Sequence, residues 1–212
     1  MAGSEVETTW TAEPFVPESK SLRTLEQAAR RCRGCPLYAH AERVVFGEGS
    51  RSATIVLVGE QPGDQEDRQG RPFVGPAGRV LWACLDAAGI DRGDVYATNA
   101  VKHFKHELRG KRRLHKKPVA AEVEACHPWI EAELAAVRCR VIVALGATAA
   151  RSLLGRSVPI AASRGNTFRV HDLPVLVTYH PSAVLRADER AVEIRHALVA
   201  DLSRASGLGR SG

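Results

Sequence analysis

The sequence contains no apolar run that approaches the roughly 18 residues that a membrane-spanning helix needs. Its first residues, Met1 to Glu5, carry neither a basic nor an apolar stretch, so we expect no secretion signal and a location in the cytoplasm. In that compartment the five cysteines are expected to be free thiols or metal ligands rather than disulfides. Internal repeats and domain linkers are also absent from the sequence.

Hydrophobic residues make up 44% of the 212 residues, which excludes global disorder and suffices for one domain with a core. We expect a flexible N-terminal tail over residues 1–20, a single domain over residues 21–205 and a flexible C-terminal tail over residues 206–212. The protein is expected to be a monomer.

Positive charge is concentrated in one segment. The net charge is +6, and residues 102–117 hold eight Lys and Arg and one acid, Glu107. That segment therefore carries +7, and the rest of the chain carries −1. A basic segment on a nearly neutral body indicates a localised contact with a polyanion.

Short apolar runs alternate with helical periodicity along the chain. Strands are predicted at 53–58, 95–101, 140–145, 167–170 and 175–178. Helices are predicted at 21–31, 80–88, 119–137, 147–154 and 187–205, and Pro128 is expected to kink or split the third of them. This alternation predicts an α/β fold, a three-layer α/β/α sandwich around a mostly parallel sheet.

Such sheets bind ligands beyond the carboxyl ends of their strands, so segments 59–63, 99–117 and 180–182 are expected to meet. The first of them opens a long irregular stretch, residues 59–76, and a loop of this length is usually functional. It lacks the G-x-G-x-x-G spacing of a dinucleotide site. On composition alone, an acidic surface loop is an equally good interpretation.

Several motifs together resemble a known family. Residues 59–78, GEQPGDQEDRQGRPFVGPAG, are similar to the first motif of the iron–sulfur uracil-DNA glycosylases. The HPS at 180–182 resembles their second motif, and TNAVK at 98–102 resembles the strand that carries their uracil-reading asparagine. The match spans roughly residues 30–190 in the right order. The KRRLH at 111–115 is similar to a loop of the X type, which bonds covalently to DNA.

The resemblance implies a role for individual residues. The implied catalytic residues are His115, Glu60 and His180. The implied substrate-binding residues are Gln61, Asp64, Phe73 and Asn99. The implied DNA-binding residues are Lys111, Arg112, Arg113, Lys116, Ser182 and Arg186. The implied partner is uracil-containing DNA, single- or double-stranded, in the cytoplasm at the nucleoid, with no membrane involved.

These roles are chemically sensible. Uracil must be flipped out of a duplex to be reached. Phe73 would then stack on the base, Gln61 would help hold it, and Asn99 offers a donor and an acceptor to its edge. His180 would stabilise the uracil anion as it leaves. Taken singly, a phenylalanine is more often a core residue and a histidine a satisfied polar residue; only the joint pattern favours the site.

Three functions compete. In the X-type hypothesis, His115 becomes linked to C1′ of the abasic deoxyribose, with Glu60 as its partner. In the second, the protein is an ordinary iron–sulfur glycosylase that delivers water and turns over. In the third, from a different class, it is a non-catalytic nucleic-acid-binding scaffold with a structural metal, since a basic run is usually a solvated or phosphate-binding face.

The cysteines form a second constellation. Cys32 and Cys35 make a C-x-x-C, a spacing that zinc and redox sites share, and Cys126 adds a third sulfur. Cys84 lies on an apolar helix face and Cys139 at a strand entrance, so both are expected to be structural.

The fourth ligand departs from the family pattern. Where the family has a cysteine after the asparagine strand, this sequence has His103. Histidine can ligate iron, so the resemblance implies a [4Fe–4S] cluster held by Cys32, Cys35, Cys126 and His103. On ligand type alone, zinc remains an alternative.

Overall fold

Four parallel strands form the centre of the sheet in the computed structural model, which describes residues 10–210. The strands are β1 (Glu48–Gly49), β2 (Ile55–Gly59), β3 (Val95–Asn99), β4 (His106–Arg109), β5 (Arg112–His115), β6 (Val141–Leu145), β7 (Thr167–Val170) and β8 (Leu173–Thr178). Six of them form one sheet in the order β1-β3-β2-β6-β8-β7, whose two edge strands run antiparallel to their neighbours. The remaining two, β4 and β5, form a separate hairpin. The predicted mostly parallel sheet is confirmed.

Helices connect these strands. They are α1 (Leu22–Ala29), α2 (Asp64–Gln69), α3 (Pro76–Ala87), α4 (Ala120–Ala136), α5 (Ala147–Leu154), α6 (Ile160–Ser163), α7 (Ser182–Arg186) and α8 (Ala191–Arg210). Short 3-10 helices lie at Glu13–Phe15, Pro36–Ala39, Arg92–Asp94 and Asp188–Arg190. Within residues 10–210, no helix has both the length and the apolar content to cross a membrane.

Side chains alternate along β2 and so divide the core in two. Val56 and Val58 face a cluster that includes buried residues of α1, α4 and α5. Ile55 and Leu57 face a cluster that includes buried residues of α3 and α8. Helices therefore cover both faces of the sheet, which confirms the three-layer sandwich.

Two details of the predicted elements are wrong. The stretch 59–76 is not irregular throughout, because α2 forms within it; three acids in its first turn suit the helix N-terminus, and Gly70 ends it at φ 71°. Helix α4 is not split at Pro128. Trp129 and Ile130, which follow the proline, are fully buried, and their packing compensates for the backbone hydrogen bond that proline cannot make.

The packed part of the chain extends beyond the predicted domain boundaries at 20 and 205. Ala12 is buried, and its N–H donates to the carbonyl of Ala125 on α4 at 2.7 Å. The predicted helix 187–205 instead begins at Ala191 and continues to Arg210, with Gly209 buried against β2. Of the predicted tails, residues 1–9 and 211–212 lie outside the described residues.

A buried ion pair joins the segment that follows β3 to α4. Lys102 Nζ is 2.5 Å from Glu133 Oε2, and both side chains are 1% exposed. The ammonium also donates to Thr98 Oγ1 at 2.7 Å and to the carbonyl of Asn99 at 2.8 Å. Glu133 additionally accepts from the Tyr96 hydroxyl at 2.9 Å. Lys102, counted in the basic segment, is therefore an internal structural residue and not part of a polyanion contact.

The buried pair of Lys102 and Glu133 leads to a prediction about stability. Lys102→Met leaves the Glu133 carboxylate buried without a counter-charge, so the free energy of unfolding should fall by about 3–5 kcal/mol. Adding Glu133→Gln removes that charge and keeps an acceptor for Tyr96, so a large part of the loss should be recovered. Urea unfolding measures both variants, with Glu26→Gln in the exposed Arg30–Glu26 pair as the control. A double variant no more stable than Lys102→Met would contradict this account.

Candidate functional site

A cavity of about 820 Å³ opens at the carboxyl ends of β2, β3, β6 and β8. Nine of the residues that the sequence predicted for catalysis, substrate or DNA line this cavity. They are Glu60, Gln61, Asp64, Phe73, Asn99, His115, His180, Ser182 and Arg186. Parallel strands end at one edge of the sheet, which is why segments so far apart in sequence meet there.

The inner wall of the cavity depends on a close approach at the end of β2. A Cβ on Gly59 would lie 2.3 Å from Asn99 Oδ1 and 2.8 Å from Phe73 Cζ, so only glycine fits beneath these two side chains. Phe73 has a positive φ of 54° and its carbonyl accepts from Trp82 Nε1 at 3.1 Å. An aromatic ring and an amide are thus fixed side by side, and they can stack on and hydrogen-bond to a small polar ring.

His180 presents one defined nitrogen to the cavity. The backbone N–H of Ser182 donates to His180 Nδ1 at 3.2 Å, and the Ser182 hydroxyl lies 2.7 Å from the same atom. Burial lowers the pKa of His180 to about 4, with a smaller contribution from the charge of Arg186. The ring is therefore neutral near pH 7, with its proton on Nε2, and can donate a hydrogen bond to developing negative charge.

His115 stands opposite, at the end of β5. Its Nε2 is 3.5 Å from Glu60 Oε1, and its side chain is 49% exposed. The other oxygen of Glu60 accepts a hydrogen bond from Thr148 Oγ1 at 2.5 Å. Thr148 on α5 therefore fixes the carboxylate that faces His115. Sequence reasoning predicted a helix at Thr148 but no functional role for it. Its position just after β6 nevertheless places it at the edge of the sheet where ligands bind.

The side-chain amide of Gln61 binds backbone groups at the base of the β4–β5 hairpin. Its Nε2 donates to the carbonyls of Lys105 and Lys116 at 3.2 and 3.1 Å, and its Oε1 accepts from the N–H of Lys105 at 3.0 Å. These two residues flank the β4–β5 hairpin, which the sequence did not predict. The amide of Gln61 thus clamps the base of the hairpin that carries His115. Gln61 also lines the cavity, and its contact with a base stays a prediction.

Arg113, for which DNA binding was predicted, is held by acidic residues of the protein itself. Its guanidinium is 2.5 Å from Asp64 Oδ1, 2.6 Å from Asp67 Oδ2 and 3.0 Å from Glu42 Oε1, and its side chain is only 8% exposed. Hydrogen bonds from Arg68 and Arg113 outweigh partial burial and hold the pKa of Asp64 below its ordinary value. Asp64 lines the cavity, but its carboxylate is engaged by these two arginines. These contacts fasten the hairpin to α2.

Asp67 is a second residue that the sequence missed. It is fully buried and accepts the N–H groups of Glu42 and Arg43 at 3.1 and 3.3 Å in addition to the Arg113 guanidinium. The only feature of the sequence that could have indicated this role is the position of Asp67 among the acidic residues that follow the GEQPG motif.

On the other side of the cavity, Ser182 lies at the start of α7 and Arg186 at its end. Arg186 donates to Ser182 Oγ at 2.9 Å, and its guanidinium is exposed. The Ser182 hydroxyl is thus engaged by His180 and Arg186, while the exposed Arg186 side chain lines the cavity. Lys111 and Arg112 are exposed on the hairpin, and Lys116 is half-exposed in an ion pair with Glu107 at 2.8 Å.

Cys32, Cys35 and Cys126 are all buried beside one another on the face of the sheet covered by α1 and α4. Cys32 Sγ accepts from Trp129 Nε1 and Cys126 Sγ from the N–H of Lys102, both at 3.3 Å. Burial raises the pKa of Cys126 to about 12 and also raises that of Cys35. Deprotonation of these thiols would therefore require a cation.

His103 follows Lys102 and is buried; burial lowers its pKa to about 4, against the opposing charge of Asp67. It lines a second cleft of about 820 Å³ together with Cys32. In the described residues, no group of three or more His, Cys, Asp or Glu is arranged to hold a single metal ion. Cys84 lies in the core on the opposite face of the sheet, and Cys139 is buried at the entrance to β6.

Comparisons with known proteins identify the family of the chain. The family described as the uracil DNA glycosylase superfamily matches residues 46–203. The Type-4 uracil-DNA glycosylase of Thermotoga maritima is 38% identical over 186 residues, which cover 87% of this chain and 92% of the relative. That of Pyrobaculum aerophilum is 35% identical, over 78% of this chain and 85% of the relative. That of Archaeoglobus fulgidus is 36% identical, over 78% and 84%. The chain therefore belongs to the uracil-DNA glycosylase superfamily.

Proposed function

We propose that this protein recognises uracil in DNA and excises it, as a monomeric DNA-repair protein acting at the nucleoid. The observation that carries the proposal is the cavity in which Phe73, Asn99 and the Nε2–H of His180 lie together. Relatives named Type-4 uracil-DNA glycosylase, which align with most of the chain, support the same substrate.

In the proposed reaction the uracil leaves the base stack and enters the cavity. Phe73 stacks on it, and the Asn99 amide pairs with the edge that distinguishes uracil from cytosine. The bond between C1′ and N1 breaks, and its electron pair leaves with the base. The Nε2–H of His180 donates to a carbonyl oxygen of the departing anion, where negative charge accumulates.

We further propose that His115 captures the sugar. A neutral ring nitrogen of His115 donates its lone pair to C1′, and the imidazole thereby gains a positive charge. Glu60, held by Thr148, lies beside this ring and offsets that charge. The clamp of Gln61 and the contacts of Arg113 keep His115 close enough to compete with water. No further group is required to complete the step, and the protein stops after one event.

The covalent step predicts a cross-link. A uracil-containing oligonucleotide incubated with the protein and boiled in detergent should give a shifted, protein-linked band on a denaturing gel. His115→Ala and a thymine oligonucleotide should both abolish the band. His115→Ser should release uracil repeatedly, because water can then reach C1′. Release of uracil with an unlinked abasic product by the wild-type protein would identify an ordinary turning-over enzyme. No discrimination between uracil and thymine would identify a binding scaffold.

The role of His180 predicts an unusual titration. Its folded-state pKa of about 4 lies below the ordinary value near 6.5, so the ring should stay neutral throughout that interval. The unfolded chain takes up the proton first, so this histidine's contribution to stability is complete above pH 6.5 and is lost as the pH falls towards 4. NMR of histidine nitrogens should find the proton on Nε2, with His180→Gln to assign the signal. A protonated His180 at pH 6 would contradict its role as a neutral donor.

We also propose that Cys32, Cys35, Cys126 and His103 hold a [4Fe–4S] cluster. These side chains suit an iron–sulfur cluster. The three buried sulfurs lie close enough to interact electrostatically, and two of them already accept hydrogen bonds from N–H groups. The His103 imidazole is neutral and can therefore act as a ligand. A four-iron cluster is larger than one ion, so its ligands surround it at a distance and need not meet around a point. Bound there, the cluster would join three separate chain segments.

Iron analysis tests the cluster. Protein purified without oxygen should be brown, and Cys32→Ala, Cys35→Ala and Cys126→Ala should each lose iron and unfold more easily. Cys84→Ser is the matched control, because this buried thiol lies on the opposite face of the sheet and should keep the iron. Stoichiometric zinc without iron would overturn the cluster assignment. A full cluster in His103→Ala would overturn only the fourth ligand.

A further inference from the structure

The hydroxyl of Ser182 lies between the ring of His180 and the guanidinium of Arg186. Its Oγ is 2.7 Å from His180 Nδ1, and Arg186 Nη1 donates to the same oxygen at 2.9 Å. Ser182 begins helix α7 and Arg186 ends it, one turn further along. A continuous chain of hydrogen bonds therefore runs from an exposed cation to a ring that lines the cavity.

The direction of each hydrogen bond in this chain follows from its groups. The backbone N–H of Ser182 donates to His180 Nδ1 at 3.2 Å, so Nδ1 is an acceptor and the ring proton is on Nε2. The Ser182 hydroxyl must then donate to Nδ1, and it accepts from Arg186, which has only donors. Each bond in such a chain polarises the next, so Arg186 makes the Nε2–H of His180 a stronger donor.

Both ends of the chain are suited to this effect. A Cβ on Gly146 would lie 3.0 Å from His180 Cβ, so the ring is held close to the end of β6. The low pKa of His180, about 4, results first from burial and then from the charges of Arg186 and His115, so the ring stays neutral. A guanidinium has five N–H donors, and Arg186 can therefore hold Ser182 and a DNA phosphate at the same time.

We infer that Arg186 is a positioning residue for uracil excision: acting through Ser182, it strengthens the hydrogen bond that His180 Nε2 donates to the departing base. This inference rests on the proposed function and gives Arg186 a second role beside its predicted contact with phosphate. Negative charge accumulates on the base only as its bond to C1′ breaks, so a stronger donor lowers the barrier more than it tightens binding. Arg186 should therefore affect the rate of release more than the affinity for DNA.

Leaving groups of different acidity test this chain. With protein in saturating excess over a single-stranded oligonucleotide, Arg186→Gln should slow the release of uracil about tenfold. The release of 5-fluorouracil should slow less than about threefold, because its anion is more stable and depends less on His180. Arg186→Lys should recover most of the uracil rate, since it keeps a charged donor. Ser182→Ala combined with Arg186→Gln should be no slower than Ser182→Ala alone, because the effect passes through the serine.

The free protein gives a second measurement that involves no DNA. Loss of the charge in Arg186→Gln should raise the pKa of His180 above about 4, as measured by NMR of its ring nitrogens. Arg190→Gln changes another exposed arginine, paired with Glu193 outside the cavity. It is the matched control and should alter neither the rates nor this pKa.

Equal slowing of uracil and 5-fluorouracil release, or no slowing of either, would overturn the role of Arg186 while leaving uracil excision in place. Failure of the wild-type protein to release either base would instead overturn the proposed function.

Discussion

The buried ion pair between Lys102 and Glu133 is the interaction on which both the cavity and the neighbouring group of cysteines depend. The Lys102 ammonium donates to the carbonyl of Asn99, at the end of the strand that reaches the cavity. The backbone N–H of the same lysine donates to Cys126 Sγ. One residue therefore connects the amide in the cavity with the sulfur-rich side of the sheet. A buried charge of this kind is tolerated only with its partners in place, so the two regions are expected to form together.

The hairpin is attached by contacts that leave its outer part free. Gln61 and Arg113 both spend several hydrogen bonds inside the protein, on the base of the hairpin and on the acids beside it. What they provide is position, for His115 at the base and for exposed cations at the tip. The charged segment thus contains one buried arginine, Arg113, that holds it in place and two exposed arginines, Arg109 and Arg112, and only the structure distinguishes them.

Much of the fold could be predicted, because alternating apolar runs specify strands and helices on both faces of a sheet, and the superfamily is confirmed. Strand ends also predicted that Glu60, Asn99 and His180 would meet. The hairpin was not predicted, because its strands are polar and lack the alternation of apolar and polar residues that marks a strand. The buried roles of Lys102 and Arg113 were not predicted either, because a charged residue is usually exposed. The covalent step at His115 and the cluster stay predictions, since they concern reactivity and a ligand.

The backbone of Phe73 has a consequence for how a base would be selected. Its positive φ is possible because Gly78 has no Cβ, which would lie 1.9 Å from the Phe73 carbonyl oxygen, and Trp82 binds that same oxygen. The Phe73 ring is thus oriented before a base enters the cavity, so binding of a base would cost little conformational entropy in the protein. A base stacked on a ring that cannot turn would lie in one plane, and this plane would decide which atoms of its edge reach Asn99.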